Sequence, residues 1–470
     1  MHLVWHRTEL RTHDNPALAA AAASGEPVLP LVIVDPIIFD RPTTTPRRQA
    51  WFLENVRALR ESYRALGSDL IVREGIPHEV LAKLAGEHEF AHAHYIKNHT
   101  PYARERDAAA EKTLGKAGVE VHRYPGQYTR EPGELRTGSD GRYTVFGPYL
   151  KKWLAQPFPE LAATPKQLPA VAKKIARGEI RRVESAIELP DVGEGAALKR
   201  LDDFLKHAEA GYGEARDFPA RRPSTSLLSM YFNIGVLGHR LAVHRAKDAK
   251  WRSELAWWDF NADALDAHPE GATDEYKELW RGFPWRDDKA EVAKWEHGQT
   301  GYPMVDAGMR QLQQTGFMHN RARLVTASFL TRHLLIDWRI GEAIFRGLLL
   351  CGDSAQNIGN WQWVAGSGYD ASPYFRILNP TAQGEKYDPT GDYVREWVPE
   401  LASLKGKAIH QPWKSRQKFD YPPRMVDHDA ARDRFKKVAK DFLHPGAAAR
   451  PKAKGKPRPE PTTQEPDGDH

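Results

Sequence analysis

Five short β-rich runs separated by helical patterns fill the first 125 or so residues, and the rest of the chain has almost no strand signal. The runs are 2–5 "HLVW", 28–34 "VLPLVIV", 69–73 "DLIVR", 91–96 "AHAHYI" and 119–124 "VEVHRY". Helical stretches such as 50–66 "AWFLENVRALRESYRAL" lie between them. This alternation predicts a doubly wound parallel sheet with its ligand beyond the carboxyl ends of the strands. No G-x-G-x-x-G follows the first run. "RTELRTHDNPALAAA" stands there instead, so the sheet is predicted to hold something other than a conventionally bound dinucleotide.

At 470 residues the chain exceeds what one core usually fills. We expect an α/β domain over 1–127, a surface connection over 128–197, an all-α domain over 198–444 and a disordered tail over 445–470. The connection is rich in Gly and Pro ("PGQYTREPGELRTGSDGRY") and is read as irregular, while "AALKRLDDFLKH" and "GEAIFRGLLL" carry helical periodicity. The tail combines Pro and charge without an apolar anchor. No apolar run is long enough to span a bilayer, and "MHLVWHRTEL" lacks the order of a signal peptide, so a cytoplasmic protein without a membrane segment is expected. A single cysteine, Cys351, excludes an internal disulfide and any multi-cysteine metal site. The net charge of +6 permits a polyanionic partner but specifies little.

Fourteen tryptophans are more telling, and two of them flank one residue in "GNWQWVAGSGYDASPYFRILNP". If 354–365 is a helix, Trp361 and Trp363 point about 200° apart and serve different neighbours, while Asn357 shares the face of Trp361. Packing and chemistry both account for such a pair. Asn320, Arg323 and Leu324 follow at i, i+3, i+4, and an Arg on a buried face needs an acidic or electron-rich partner. Thr225, Ser226 and Ser229 lie beside a predicted helix start, where hydroxyls and free N–H groups suit either a phosphate or a plain cap.

Several segments together resemble the cryptochrome/photolyase family, nearly end to end and most closely its class I cyclobutane pyrimidine dimer photolyases. They include "LVWHRTELRTHDNPAL", "GQTGYPMVDAGMRQLQQTGFMHNRAR", "DWRIGE" and "NIGNWQWVAGSGYDASPYFRILNPTAQGEKYDP". The resemblance implies a helical domain holding a U-shaped FAD, and DNA containing pyrimidine dimers as substrate of a monomeric light-driven repair enzyme. It implies FAD contacts from Tyr212, Thr225, Ser226, Leu227, Leu228, Ser229, Trp251, Arg323, Cys351, Gly352, Asp353 and Asn357, the last facing flavin N5. Trp361, Trp338 and Trp285 match the family's electron relay. Glu254 and Asn320 match the groups at the polar edge of the dimer. Arg216, Trp257, Arg321, Leu324, Trp363, Arg376 and Gln383 match DNA-binding positions, with Trp257 and Trp363 gripping a dimer rotated out of the duplex. An extruded base of this kind is a general device of photolyases. Asn320 stands where repair of (6-4) photoproducts needs an ionisable His, which favours cyclobutane dimers.

An antenna chromophore is implied in the α/β domain, of flavin or deazaflavin type rather than folate, near Asp35, Arg47 and Phe52. No metal is implied. The sequence departs from the family at Trp258, where an Arg is usual and a phosphate contact is expected to be lost. Cys351 replaces an acid that could pair with Arg323, Leu324 replaces a Met, and Leu227 and "GVLGHR" also differ. These departures keep a second reading open, a cryptochrome-like sensor that binds FAD without repairing DNA.

Overall fold

Proline sets the start of every helix that flanks the sheet. The order is β1 (His2–His6), α1 (Pro16–Ala23), β2 (Val28–Val34), α2 (Pro36–Phe39), α3 (Pro46–Ala65), β3 (Ile71–Glu74), α4 (Pro77–Glu87), β4 (His92–Ile96), α5 (Pro101–Lys116) and β5 (Glu120–Tyr124). A proline at the first helical position lacks an N–H that would have no partner anyway, and its fixed φ is already helical. Asn15, Asp35 and Thr100 add side-chain caps just before it. In this computed structural model, which describes residues 1–169 and 175–444, the five strands form one parallel sheet in the order β3-β2-β1-β4-β5. Strand order reverses between β1 and β4, and a crevice opens beyond their carboxyl ends. All seven residues of β2 are buried, as a strand covered on both faces requires. Pro30 stands one residue before the β3 register begins at Leu31↔Ile71, so its missing donor breaks no ladder there.

The connection is not irregular throughout, contrary to the expectation for 128–197. It contains α6 (Phe146–Ala155), which buries Phe146, Tyr149 and Trp153 at i, i+3 and i+7. Gly147 and Pro148 fall inside its first turn, where orphan N–H groups make both tolerable. The helical part of the chain follows with α7 (Gly193–His207). It continues as α8 (Tyr212–Ala215), α9 (Ser229–Asn233), α10 (His239–Arg245), α11 (Ala249–Ala267), α12 (Lys289–Glu296), α13 (Pro303–Thr315), α14 (Asn320–Ser328), α15 (Trp338–Leu348), α16 (Ser354–Ala365), α17 (Pro380–Tyr387), α18 (Asp392–Trp397) and α19 (His428–Leu443). The expected tail over 445–470 lies outside the described residues. No helix among the described residues is long and apolar enough to cross a membrane.

Buried polar groups join the two halves. Arg11 donates to the carbonyl oxygens of Asp14, Gly126 and Gly235, the last at 3.0 Å. The Asp14 carboxylate accepts from Arg240 of α10 at 3.0 Å, with both residues buried. Removing one partner of such a pair leaves an uncompensated charge, at a cost of about 3–5 kcal/mol. Nearby, Trp51 of α3 meets Tyr231 of α9 edge to face at 5.3 Å.

His99, in the loop after β4, forms a second clamp. Its Nε2 lies 2.7 Å from the Glu131 carboxylate and its Nδ1 3.3 Å from that of Asp266 on α11. Burial opposes its charge, but the hydrogen bonds to Asp266 and Glu131 outweigh burial and push its pKa up to about 9. A histidine raised in the folded state lends stability that is complete below its unfolded pKa and is lost as pH rises through the folded one. That contribution is at most about 3 kcal/mol, from roughly 1.4 kcal/mol per unit. The unfolding free energy, followed in urea, should therefore fall between about pH 7 and pH 10. His99→Gln should flatten that fall, and an identical pH profile in the variant would refute the clamp.

Candidate functional site

The turn from Leu349 to Asp353, between α15 and α16, organises the site. Asp353 caps α16 by accepting from the Gln356 N–H at 2.9 Å, and Gly366 closes it with a φ of 81°, so the helix spans the predicted 354–365. Asn357 is buried one turn in. Its Nδ2 donates to the Glu342 carbonyl oxygen and carboxylate, both at 2.8 Å, and Glu342 in turn accepts from Arg346 Nε at 2.8 Å. Both amide hydrogens are thereby engaged, leaving Oδ1 as the group that can meet a ligand.

Asn357 opens on a cavity of about 90 Å³ walled by Ser229, Trp258, Asn320, Arg323, Leu324, Cys351, Gly352, Asp353 and Trp361. Arg323 donates to the Met318 carbonyl at 2.8 Å and lies 3.6 Å from Cys351 Sγ, so a thiol does stand where an acid could have paired with it. Burial drives the Asp353 carboxyl up. His319, the residue before Asn320, is held neutral by burial and by Arg323, its pKa pushed down to about 4, and its Nδ1 accepts the Arg321 N–H. It is therefore no substitute for an ionisable histidine at the position of Asn320.

Trp361 is buried and meets Phe345 at 4.9 Å and Trp295 at 6.1 Å, both edge to face. Trp338 is buried, with Nε1 donating to Glu275 at 3.3 Å, and Trp285 is half-buried against Phe283. Trp361 thus lies on the cavity wall, Trp338 is buried and Trp285 is partly exposed.

Trp258 is half-buried. It lies four residues after Glu254 and seven after Trp251, on their helix face, lining the cavity and meeting Phe232 at 5.9 Å and His239 at 4.9 Å. Trp257 and Trp363 stand outside that cavity lining, both half-buried, with Trp257 stacked on Phe146 at 3.7 Å. Around them, Glu254 pairs with Arg216 and, at 3.3 Å, with Lys250. Arg321 pairs with Asp217 at 2.6 Å, Arg376 is exposed, and Gln383 Oε1 is buried without a partner among the described residues.

Tyr212 and Trp251 pack on Phe204 and are buried. Between Ser224 and α9 the chain makes a tight turn with Leu227 at a φ of 54°, a conformation disfavoured for a side chain of that size. Among the described residues the N–H groups of Ser226, Leu228 and Ser229 donate to no backbone oxygen, and Leu227 N–H reaches only Thr225 Oγ1 at 3.5 Å.

A larger cavity, about 500 Å³, occupies the crevice beyond β1, β2 and β4. Trp5, Thr8, Asp35, Phe52, Tyr102 and Arg106 line its outer part, with Tyr102 donating to Asp35. Its inner end reaches Arg48, Arg346, Gly352 and Asp353, the last two shared with the smaller cavity. Arg47, expected here, is not part of the lining. Its guanidinium turns to the carbonyls of Gln313 and Leu348 in the helical domain, while the next residue, Arg48, faces inward. Burial and the nearby Arg346 push the Arg48 pKa down to about 10. Sequence reasoning missed Arg48, Glu342 and Arg346; the one available signal was Glu342 on the same α15 face as Trp338 and Arg346.

N–H donors without a backbone acceptor at the 225–229 turn, buried Tyr212 and Trp251, and the Asn357 amide oxygen on the cavity wall fit the diphosphate and the ring edge of FAD. Two family models match the chain: "DNA photolyase" over residues 2–169 and "FAD binding domain of DNA photolyase" over 251–441. The chain is 41% identical over 448 residues to the deoxyribodipyrimidine photo-lyase of Thermus thermophilus, covering 94% of this chain and 98% of that one. A class III photolyase from Agrobacterium tumefaciens superposes with a TM-score of 0.86 at 37% identity, over 94% of this chain and 97% of that one. An archaeal photolyase from Sulfolobus tokodaii with two FAD molecules gives 0.84 at 26% identity, over 94% and 100%.

The packing behind Trp361 can be tested directly. A methyl group at Gly341 would lie 2.2 Å from the Trp361 ring and 2.5 Å from Leu330 Cδ2. Gly341→Ala should lower the unfolding free energy by roughly 1–3 kcal/mol in urea, and parental stability would show that α15 shifts without cost.

Proposed function

Since this chain belongs to the DNA photolyase family, we propose that it repairs cyclobutane pyrimidine dimers in DNA under blue or near-UV light. The observation that carries this reading is the pair of amides, Asn357 and Asn320, that open on one small cavity with Trp361 at its back. When bound, reduced FAD supplies the photoexcited electron that splits the dimer and takes that electron back afterwards.

This chain's residues then have separate tasks. The turn from Thr225 to Ser229 offers N–H groups and hydroxyls to the diphosphate. Asn357, oriented by Glu342, accepts at flavin N5 and has no proton to release, which suits a fully reduced anionic cofactor. Arg323, Gly352 and Asp353 complete the wall. Trp361, Trp338 and Trp285 carry electrons inward from the surface. Asn320 and Glu254 hold the polar edge of the dimer, with Glu254 exchanging its pairing with Arg216 for the lesion and releasing that arginine to a phosphate. Trp257 and Trp363 supply flat faces, and stacking in such sites is worth about 1–3 kcal/mol per base. Arg321, Arg376 and Gln383 position the strand. We assign the crevice at Asp35 and Phe52 to an antenna of flavin or deazaflavin type, a choice supported by its aromatic lining and by the two FAD molecules of the Sulfolobus protein. The protein acts as a monomer in the cytoplasm, where its lone cysteine stays reduced.

The test is repair of an oligonucleotide bearing one thymine dimer by chemically reduced protein, in light and in the dark. Cleavage should require light. Asn320→Ala should slow it roughly tenfold or more, the loss of about 1–3 kcal/mol of hydrogen bonding. Trp338→Phe should block photoreduction by an external donor while sparing repair by a pre-reduced sample. Photoreduction without dimer cleavage would instead establish the sensor reading. Chromophores released by denaturation should include a second flavin or deazaflavin spectrum; a folate spectrum would overturn the antenna assignment.

A further inference from the structure

The opposite end of the sheet carries four imidazoles that no part of the repair site uses. His2 on β1, His92 and His94 on β4, and His122 on β5 share one face of the sheet, with His92 in register with Glu120 and His94 with His122. Their rings stack: His2 on His92 at 4.7 Å and His94 on His122 at 4.7 Å. A neutral imidazole keeps one ring nitrogen with a lone pair that can bond a proton donor or a metal.

The inner half is self-satisfied. His2 Nδ1 and His94 Nε2 are 2.8 Å apart, and His94 Nδ1 is 2.9 Å from the Tyr124 hydroxyl. The outer half is not. His92 Nδ1 lies 3.1 Å from His122 Nε2 and 3.5 Å from Glu120 Oε2, and His122 Nε2 lies 3.7 Å from Glu120 Oε1. One shared proton can satisfy only the shortest of these three edges. A tetrahedral metal with bonds of about 2.0–2.1 Å would set donors about 3.3 Å apart, in the middle of the observed range.

We propose that His92, His122 and Glu120 bind a divalent transition metal of borderline softness, zinc being the representative, with solvent completing its shell. Two imidazoles and a carboxylate are a donor set that suits zinc, nickel or copper and not magnesium or calcium. Backbone register supplies the preorganisation: β4 and β5 are fixed neighbours, and all three donors stand on one face. The side chains of His92 and His122 are about one-third exposed, so an ion can enter from solvent. The site is built at the amino ends of strands whose carboxyl ends face the large cavity, roughly 13 Å of strand away. Its role is therefore to tie the exposed edge strand β5 to the sheet. This inference is independent of the photochemistry.

The experiment uses the full, tag-free chain, stripped with a chelator and titrated with zinc chloride by calorimetry, then with copper(II) for electron paramagnetic resonance. One equivalent of zinc should bind, and copper should show hyperfine coupling to two imidazole nitrogens. His122→Gln should weaken zinc at least about 100-fold and leave one nitrogen coupled, and Glu120→Gln should weaken it about tenfold. Glu120 is exposed, so that variant keeps the test valid if a histidine variant misfolds. No saturable uptake by the parent would overturn the proposal. So would unchanged affinity in the variants, which would put the metal on others of the chain's 20 histidines.

Discussion

A short line of buried hydrogen bonds, Arg346 to Glu342 to Asn357, fixes the chemistry of the pocket. Without Glu342 the Asn357 amide could present either its oxygen or its nitrogens to the cavity. With it, only the oxygen is left, and that orientation distinguishes an acceptor from a donor at a flavin edge. The line crosses from α15 to α16, so it also sets the separation of the two helices, and Gly341 admits the Trp361 ring into the same seam. Arg48 reaches in from α3 of the other domain to the Gly352 carbonyl at 3.2 Å, extending the line across the interface. Burying so many charged and polar groups is costly unless each finds a partner, which gives the two domains a strong reason to stay docked.

Much of this was legible in the sequence because the signals were local. The strand run at 28–34 and the helical pattern over 354–365 each depend on a few adjacent residues, and β2 and α16 have those limits. The fold class followed from order alone. What could not be read depends on long-range pairing or on rotation about a helix. Trp257 and Trp258 are chemically identical neighbours, and only the docking of α11 decides which one enters the cavity. Arg47 and Arg48 pose the same problem, a 100° step separating a domain clamp from a pocket wall. The helix α6 was hidden by Gly147 and Pro148, whose breaking tendency is real in a helix interior and harmless in a first turn.

The site's likeness to known repair enzymes coexists with a changed charge pattern. Cys351 lies 3.6 Å from Arg323, Arg48 stands close by, Arg346 is paired with Glu342, and burial disfavours the charge of Asp353. A pocket so provided suits the dianionic diphosphate of FAD.

The wall shared by the two cavities has a further meaning for anyone building chimaeras from this chain. Two family models cover residues 2–169 and 251–441 separately, yet the large crevice takes Trp5, Asp35 and Phe52 from one and Arg346, Gly352 and Asp353 from the other. A hybrid joined between the two would inherit half of that crevice from each parent, so its shape is a property of the pairing.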